Sequence, residues 1–250
     1  MQPWYEDESF WATWAPDMFS EKAHVRALGE VEGILALLKP TEGAAVLDLC
    51  CGPGRITLPL ARLGYRMTGV DRTEAYVATL AEAAEAEHLP IDAVQADMRE
   101  FLRPQAFDAA LNVFTSFGYF EDQEEDRLVA RNLFASLRPG GGLVMEMMGK
   151  EVLARIFDPR RWKRLDDGTI RLEETEVTRA WTWIRTRWIL LREAERTEYV
   201  LEHRIYSAAE LCALLADVGF ADFEVYGGLD GSPYDHEAKR LVVVARKPEE

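Results

Sequence analysis

The chain has 250 residues, 48% of them hydrophobic, enough to bury a full core as one domain with an insertion. Its 44 acidic against 29 basic residues leave a net charge of −15, which disfavours a general nucleic-acid or anionic-membrane surface, since both call for a positive field. No apolar run approaches the roughly 20 residues of a membrane span. MQPWYEDESF at the amino terminus lacks the basic and apolar regions of a leader. Cys50, Cys51 and Cys212 form neither a zinc nor a disulfide framework. These features predict a reduced, cytoplasmic protein, monomer or homodimer, with no metal centre and no membrane partner.

Residues 1–40 form an amino-terminal helical region. Trp4, Tyr5, Phe10, Trp11, Trp14 and Phe19 crowd its first half among acids, and Pro16 predicts a break between short helices. Such a segment either docks its aromatic face on the main body or serves as a lid over a ligand. Residues 21–38 predict an amphipathic helix carrying Val25, Leu28, Val31, Ile34, Leu35 and Leu38, closed by Pro40 and Gly43.

Residues 41–150 follow a strand–helix alternation. AAVLDLCCGPGR at 44–55 is a short buried strand, a glycine loop and the start of a helix. Glycines after a strand let the backbone approach a ligand, and the helix behind them aims unpaired N–H groups at it. A nucleotide-like ligand follows. The loop lacks the third glycine of a dinucleotide fingerprint, which falls at Thr57, and no G-K-[ST] marks a P-loop. Asp48 beside the loop suits an ammonium group better than a pyrophosphate. Further strands are predicted over 65–70, 91–96, 107–113 and 143–148, with helices over 74–88 and 122–137. Asp71 ends the second strand, placed for ribose hydroxyls, and Asp97 follows the third, placed for an adenine amine. The stretch Arg138-Pro139-Gly140-Gly141-Gly142 is expected to stop the last of these helices before the fifth strand.

Within 151–206 the period changes to two, predicting three antiparallel strands over 169–206. Residues 207–250 return to the core pattern. Ser207 caps a helix to 218, and a hairpin over 220–226 and 240–246 completes the sheet. The fold class is α/β: a doubly wound, mostly parallel seven-stranded sheet with an antiparallel β insert.

VLDLCCGPGR, GVDRT, QADMRE, FDAALNVFTSFGYF and LRPGGGLVMEM, in that order, resemble the successive motifs of class I S-adenosylmethionine-dependent methyltransferases of the small-molecule type. The resemblance spans residues 40–150 and 207–247. It implies a Rossmann-like sheet whose last strand is antiparallel, with S-adenosylmethionine as methyl donor and S-adenosylhomocysteine as product. It places Asp48, Cys50 and Gly52 by the methionine part, with Gly54 giving clearance. Asp71 then takes the ribose hydroxyls, Arg72 flanks the adenine, Asp97 accepts from its amine and Met98 packs near the base. Asn112, Val113 and Phe114 lie beneath the sulfonium. The sequence departs from the pattern at Cys50, where the family has its first glycine, and NVFTSF replaces the Asn-Pro-Pro-Tyr signature of adenine- and glutamine-modifying members.

An activated sulfonium asks mainly for alignment with its acceptor, so no triad or metal cluster is expected. The acceptor space is bounded by the loop after the fourth strand, the amino-terminal helices and the insert, which acts as a substrate cap or a dimer surface. As a cap it makes Tyr119 and His203 the candidate catalytic residues, for orienting or deprotonating an acceptor. Tyr5, Trp11, Phe117 and Arg204 join them as candidate substrate-binding residues. A small-molecule acceptor is the first reading. An RNA or protein methyltransferase, or a cofactor-binding protein without turnover, stand beside it.

Overall fold

The computed structural model describes residues 3–249. A 3₁₀ turn, Trp4–Glu6, leads into α1, Glu8–Met18, whose first turn is capped by the Asp7 carboxylate accepting from Ser9 N. Pro16 does not break this helix. It stands in the last turn, where the lost N–H costs one bond near the natural end. Helix α2, Glu21–Leu38, has the predicted limits but a different buried face: Ala23, Ala27, Val31, Ile34 and Leu38 are buried, while Val25 and Leu28 face solvent.

The main sheet contains β1 (Ala45–Leu49), β2 (Arg66–Asp71), β3 (Ile91–Gln95), β4 (Phe107–Asn112), β5 (Leu137–Met147), β10 (Ala221–Tyr226) and β11 (Leu241–Arg246). Its seven strands run in the order β10-β11-β5-β4-β1-β2-β3. Strand β11 is antiparallel to both neighbours and the other pairs are parallel. The order reverses between β1 and β4, the switch point where such sheets open a crevice beyond the strands' carboxyl ends. Helices α3 (Thr57–Arg62), α4 (Glu74–Ala86), α5 (Gln123–Ser136) and α7 (Ala208–Asp217) cross between strands, and α7 starts at a capping box of Ser207 and Glu210. Alternate residues of the central strands feed two cores. Leu47, Leu49, Ala110, Met145 and Val243 pack with α5 and α7 on one face, and Val46, Leu111, Val144 and Val242 pack with α2 and α3 on the other.

Arg138 to Gly142 do not separate helix from strand. They belong to β5, as a bulge between the pairs Phe107–Leu137 and Ala109–Gly142. Gly140 N bonds Lys247 O and Lys247 N bonds Gly141 O, so the chain's end pairs the bulged stretch.

Beyond β5 comes α6 (Lys150–Ile156), then a second sheet of β6 (Arg160–Arg164), β7 (Ile170–Thr178), β8 (Trp183–Arg192) and β9 (Glu195–Arg204). It has four antiparallel strands rather than three. Strand β6, RRWKR, is exposed at every position on the sheet's edge, so it carries no apolar alternation to betray it. Lys150 N donates to Tyr206 O at 2.9 Å, closing the start of the excursion onto its end. A small third core joins Phe10 and Trp14 of α1 to Leu190 and Leu201 of this sheet.

Candidate active site

Strand β1 runs into a loop whose Cys50, Gly52 and Gly54 all have left-handed backbone, φ 66°, 55° and 94°. Cys50 thus occupies a conformation that favours glycine. Two bonds hold it there, from Cys50 N and Cys51 N to Val70 O at 2.7 and 3.0 Å, which stitch the loop to the end of β2. A Cβ on Gly52 would stand 2.9 Å from the Phe19 ring, itself on the cavity wall. One on Gly54 would meet Leu80 at 2.5 Å, so that glycine serves packing against α4 and does not line the cavity.

Three carboxylates surround this loop. Asp48 is 1% exposed and accepts from Thr57 Oγ1 at 2.6 Å. Burial pushes its pKa up to about 6 against the pull of that hydroxyl. Asp71 accepts from Gly52 N at 2.8 Å and Thr73 N at 2.9 Å, and burial raises it too. For Asp97, burial works upward, but the bonds from Arg99 prevail and hold it below the usual carboxylate range. Arg72 lies alongside, its Nη1 3.4 Å from Tyr5 O, and Met98 Sδ is 3.8 Å from Cys50 Sγ.

Opposite stands the loop after β4. Asn112 does not reach the cavity: it is fully buried and donates to Leu49 O and Ser116 O, tying β1 to this loop. Val113 and Phe114 do line it. So does Tyr119, stacked on Tyr5 at 5.8 Å and edge-on to Trp4 at 4.9 Å. His203 of β9 is 6.4 Å from the Tyr119 ring, centroid to centroid. The amino-terminal segment forms a further wall. Trp4 Nε1 donates to Glu202 O at 2.7 Å, Trp11 Nε1 to Tyr5 O at 2.9 Å, and Tyr76 Oη to Trp11 O at 2.9 Å.

The cavity is a half-open cleft of about 1100 Å³. That is at or above the roughly 300–1,000 Å³ of a single-ligand pocket, room for a cofactor and an acceptor together. Its wall brings together Asp48, Cys50, Gly52, Asp71, Arg72, Asp97 and Met98 with Tyr5, Trp11, Tyr119 and His203. Phe117 and Arg204 are not on it. Phe117 is 1% exposed and packs against Tyr206 behind the loop. Arg204 turns away, to Asp126 and Glu121 O. Both stood among the candidate substrate-binding residues, and neither reaches the cavity wall. Arg55, Arg171, Trp188 and Arg240 also line the wall without having been assigned a site role, and of these only Arg55, at the end of the glycine-loop stretch, stands in a local motif.

Burial lowers the His203 pKa to about 4 from its ordinary 6.5. The ring is therefore neutral at neutral pH. Between those two pH values the unfolded chain binds the extra proton, so the stability this residue contributes is present above pH 6.5 and lost as pH falls toward 4. A ring-proton NMR titration should show no His203 step between about pH 8 and 5.5, where ordinary histidines titrate. A midpoint near 6.5 would contradict the burial described here.

A seven-stranded sheet with one reversed strand, and acids at the ends of β1, β2 and β3 about a glycine loop, define the class I methyltransferase fold. Residues 46–141 match the family described as "Methyltransferase domain". The chain is similar to CcbJ methyltransferase from Streptomyces caelestis, with TM-score 0.76 and 22% identity over 88% of this chain and 94% of that one. It is also similar to S-adenosylmethionine-bound CalS10, an amino pentose methyltransferase from Micromonospora echinaspora, with TM-score 0.71 and 22% identity over 94% and 96%. Cypemycin N-terminal methyltransferase from a Streptomyces species is 24% identical over 213 residues, 84% of this chain and 85% of that protein. The YqeM protein of Bacillus subtilis is 27% identical over 141 residues, 56% of this chain but only 53% of its own length. Residues 46–141 thus carry a methyltransferase domain, set in the fold that class I S-adenosylmethionine-dependent methyltransferases share.

The acids fit that cofactor's chemistry. S-adenosylmethionine offers an ammonium group, two ribose hydroxyls and an exocyclic amine, all donors, and the loop region presents three carboxylates as acceptors.

Proposed function

We propose that the chain moves a methyl group from S-adenosylmethionine to a small-molecule acceptor in the cytoplasm. One observation carries the reading. The three acids, Tyr119 and His203 line one cleft, whose wall also takes in residues of α1 and of the four-stranded sheet. The cleft has room for a small acceptor beside the cofactor, where it would meet the methyl group. The amino pentose and sugar named as what two structural neighbours act on agree with such a size class.

When bound, the cofactor supplies an activated methyl group on a sulfonium. Asp48, Asp71 and Asp97 hold its methionine, ribose and adenine parts, with the backbone of Cys50 and Gly52 against the first. Val113 and Phe114 lie along it. The residues on the acceptor side exclude water and align the nucleophile for in-line displacement. Burial raises the Tyr119 pKa above its ordinary value, so its phenol stays protonated and directs a hydrogen bond. His203, kept neutral, accepts one from the acceptor's N–H or O–H.

Labelled S-adenosylmethionine offered with a metabolite extract, RNA and bulk protein should mark the low-mass fraction. Label in RNA or protein alone would overturn the small-molecule reading. Tyr119→Phe and His203→Ala should each lower label transfer about ten- to a hundredfold. Calorimetry should find S-adenosylhomocysteine affinity changed by no more than about threefold, because neither residue belongs to the cofactor half.

A further inference from the structure

Phe114 and Thr115 are consecutive non-glycine residues with left-handed backbone, φ 61° and 63°. That conformation is unfavourable for side chains carrying a Cβ and persists only where neighbours over-determine it. Here the neighbours are two arginine–glutamate pairs. Glu146 of β5 is 3% exposed. Its Oε2 accepts from Phe114 N at 2.6 Å and its backbone oxygen from Thr115 N at 3.0 Å. Arg240 pairs with the other carboxylate oxygen and donates from Nη2 to Thr115 Oγ1 at 2.8 Å. Thr115 Oγ1 in turn accepts from Met148 N at 3.1 Å. Arg55, paired with Glu30 of α2, has its guanidinium carbon 4.0 Å from the centre of the Phe114 ring.

Arg55, Phe114, Thr115 and Arg240 line the cavity, whereas Glu30 and Glu146 stand behind them. We infer that Glu146–Arg240 and Glu30–Arg55 are positioning pairs that clamp the Phe114–Thr115 turn and so set the height of the loop carrying Tyr119 relative to the cofactor's methyl group. The inference rests on the methyltransferase reading of the cavity and extends it to residues that touch neither reacting atom. The two pairs are not equivalent. Glu146 fixes the backbone of the turn, and Arg55 fixes the direction of its ring.

Removing one member of a buried ion pair strands the other charge, so the test replaces both: Glu146→Leu with Arg240→Met, an apolar exchange of similar volume that such sites tolerate. Three readouts are taken. Hydrogen exchange of the peptide covering 113–117 should accelerate at least about tenfold, because Phe114 N and Thr115 lose side-chain partners. S-adenosylhomocysteine affinity should fall much less than label transfer by calorimetry, since the acids are untouched and Phe114 alone of the cofactor wall is loosened. Label transfer to the low-mass fraction should fall at least about tenfold, in kcat rather than in KM for the cofactor.

Unchanged exchange over 113–117 overturns the clamp. So does full label transfer by the double variant, and so does a loss of transfer matched by equal loss of cofactor-product affinity, which marks a merely structural pair. If the unmodified protein binds no S-adenosylhomocysteine and labels nothing, the methyltransferase reading falls instead, and the exchange measurement still decides the clamp.

Discussion

Asp71→Ala should weaken binding of S-adenosylmethionine and S-adenosylhomocysteine by about a hundredfold or more, since two hydrogen bonds to a charged acceptor are each worth on the order of 1.5–3 kcal/mol. The carboxylate already accepts from Gly52 N and Thr73 N, so the substitution also releases the glycine loop at its middle. Asp71→Asn separates the two effects. Its amide oxygen still accepts from Gly52 N, while the charge offered to ribose hydroxyls is gone, and the loss should shrink to about tenfold. Burial alone raises the Asp71 pKa, and bound hydroxyl donors favour its charged form, so ligand binding should lower it again. Calorimetry decides the matter. Equal affinity in Asp71→Ala, or equal affinity of the unmodified protein for NAD, would remove the cofactor assignment from this residue.

The second large effect is on stability. Trp14→Ala should cost about 3–5 kcal/mol, the usual result of emptying a buried aromatic site. Trp14 is 1% exposed, 4.3 Å from the Trp188 ring and 6.2 Å from Phe10, with the Arg171 guanidinium 5.3 Å away. Its neighbours belong to the small core between α1 and the four-stranded sheet, separate from the cores of the main sheet. The damage should therefore be local. Hydrogen exchange should rise over α1, β8 and β9 while β1, β4 and β5 keep their protection. Uniform loss of protection across both sheets would show that the molecule melts as one unit and that the third core has no separate standing.

What could be read in advance divides along the same line. The parallel sheet announces itself because each strand is a compact apolar run ending in a turn, and because acids at strand ends gather where the topology puts ligands. Cys50 was visible as a departure from glycine, and the structure shows it in the backbone conformation a glycine would take. Strand β6 was hidden, since an exposed edge strand of arginine, lysine and one tryptophan has no buried face to impose a period. The bulged start of β5 was hidden for the opposite reason: its proline and glycines signal a turn, and pairing with β4, β11 and Lys247, all distant in sequence, makes them strand. Phe117 and Arg204 were misplaced because proximity in sequence to Tyr119 and His203 does not tell which side a loop or strand end presents. The Glu146–Arg240 pair joins positions 94 residues apart and leaves no local trace.

The closure of Lys150 onto Tyr206 bears on how such a molecule diversifies. Everything between those residues leaves the main sheet and returns to nearly the same point. The loop-closure entropy of an excursion grows only slowly with its length. Segments of different size and composition can therefore be grafted at this junction without disturbing the strands that carry Asp48, Asp71 and Asp97. Because α1 supplies half of the small core beneath the grafted sheet, the two segments must change together. Drift in substrate preference would then appear as paired substitutions, one in residues 8–18 and one in β8 or β9, over an unaltered nucleotide half.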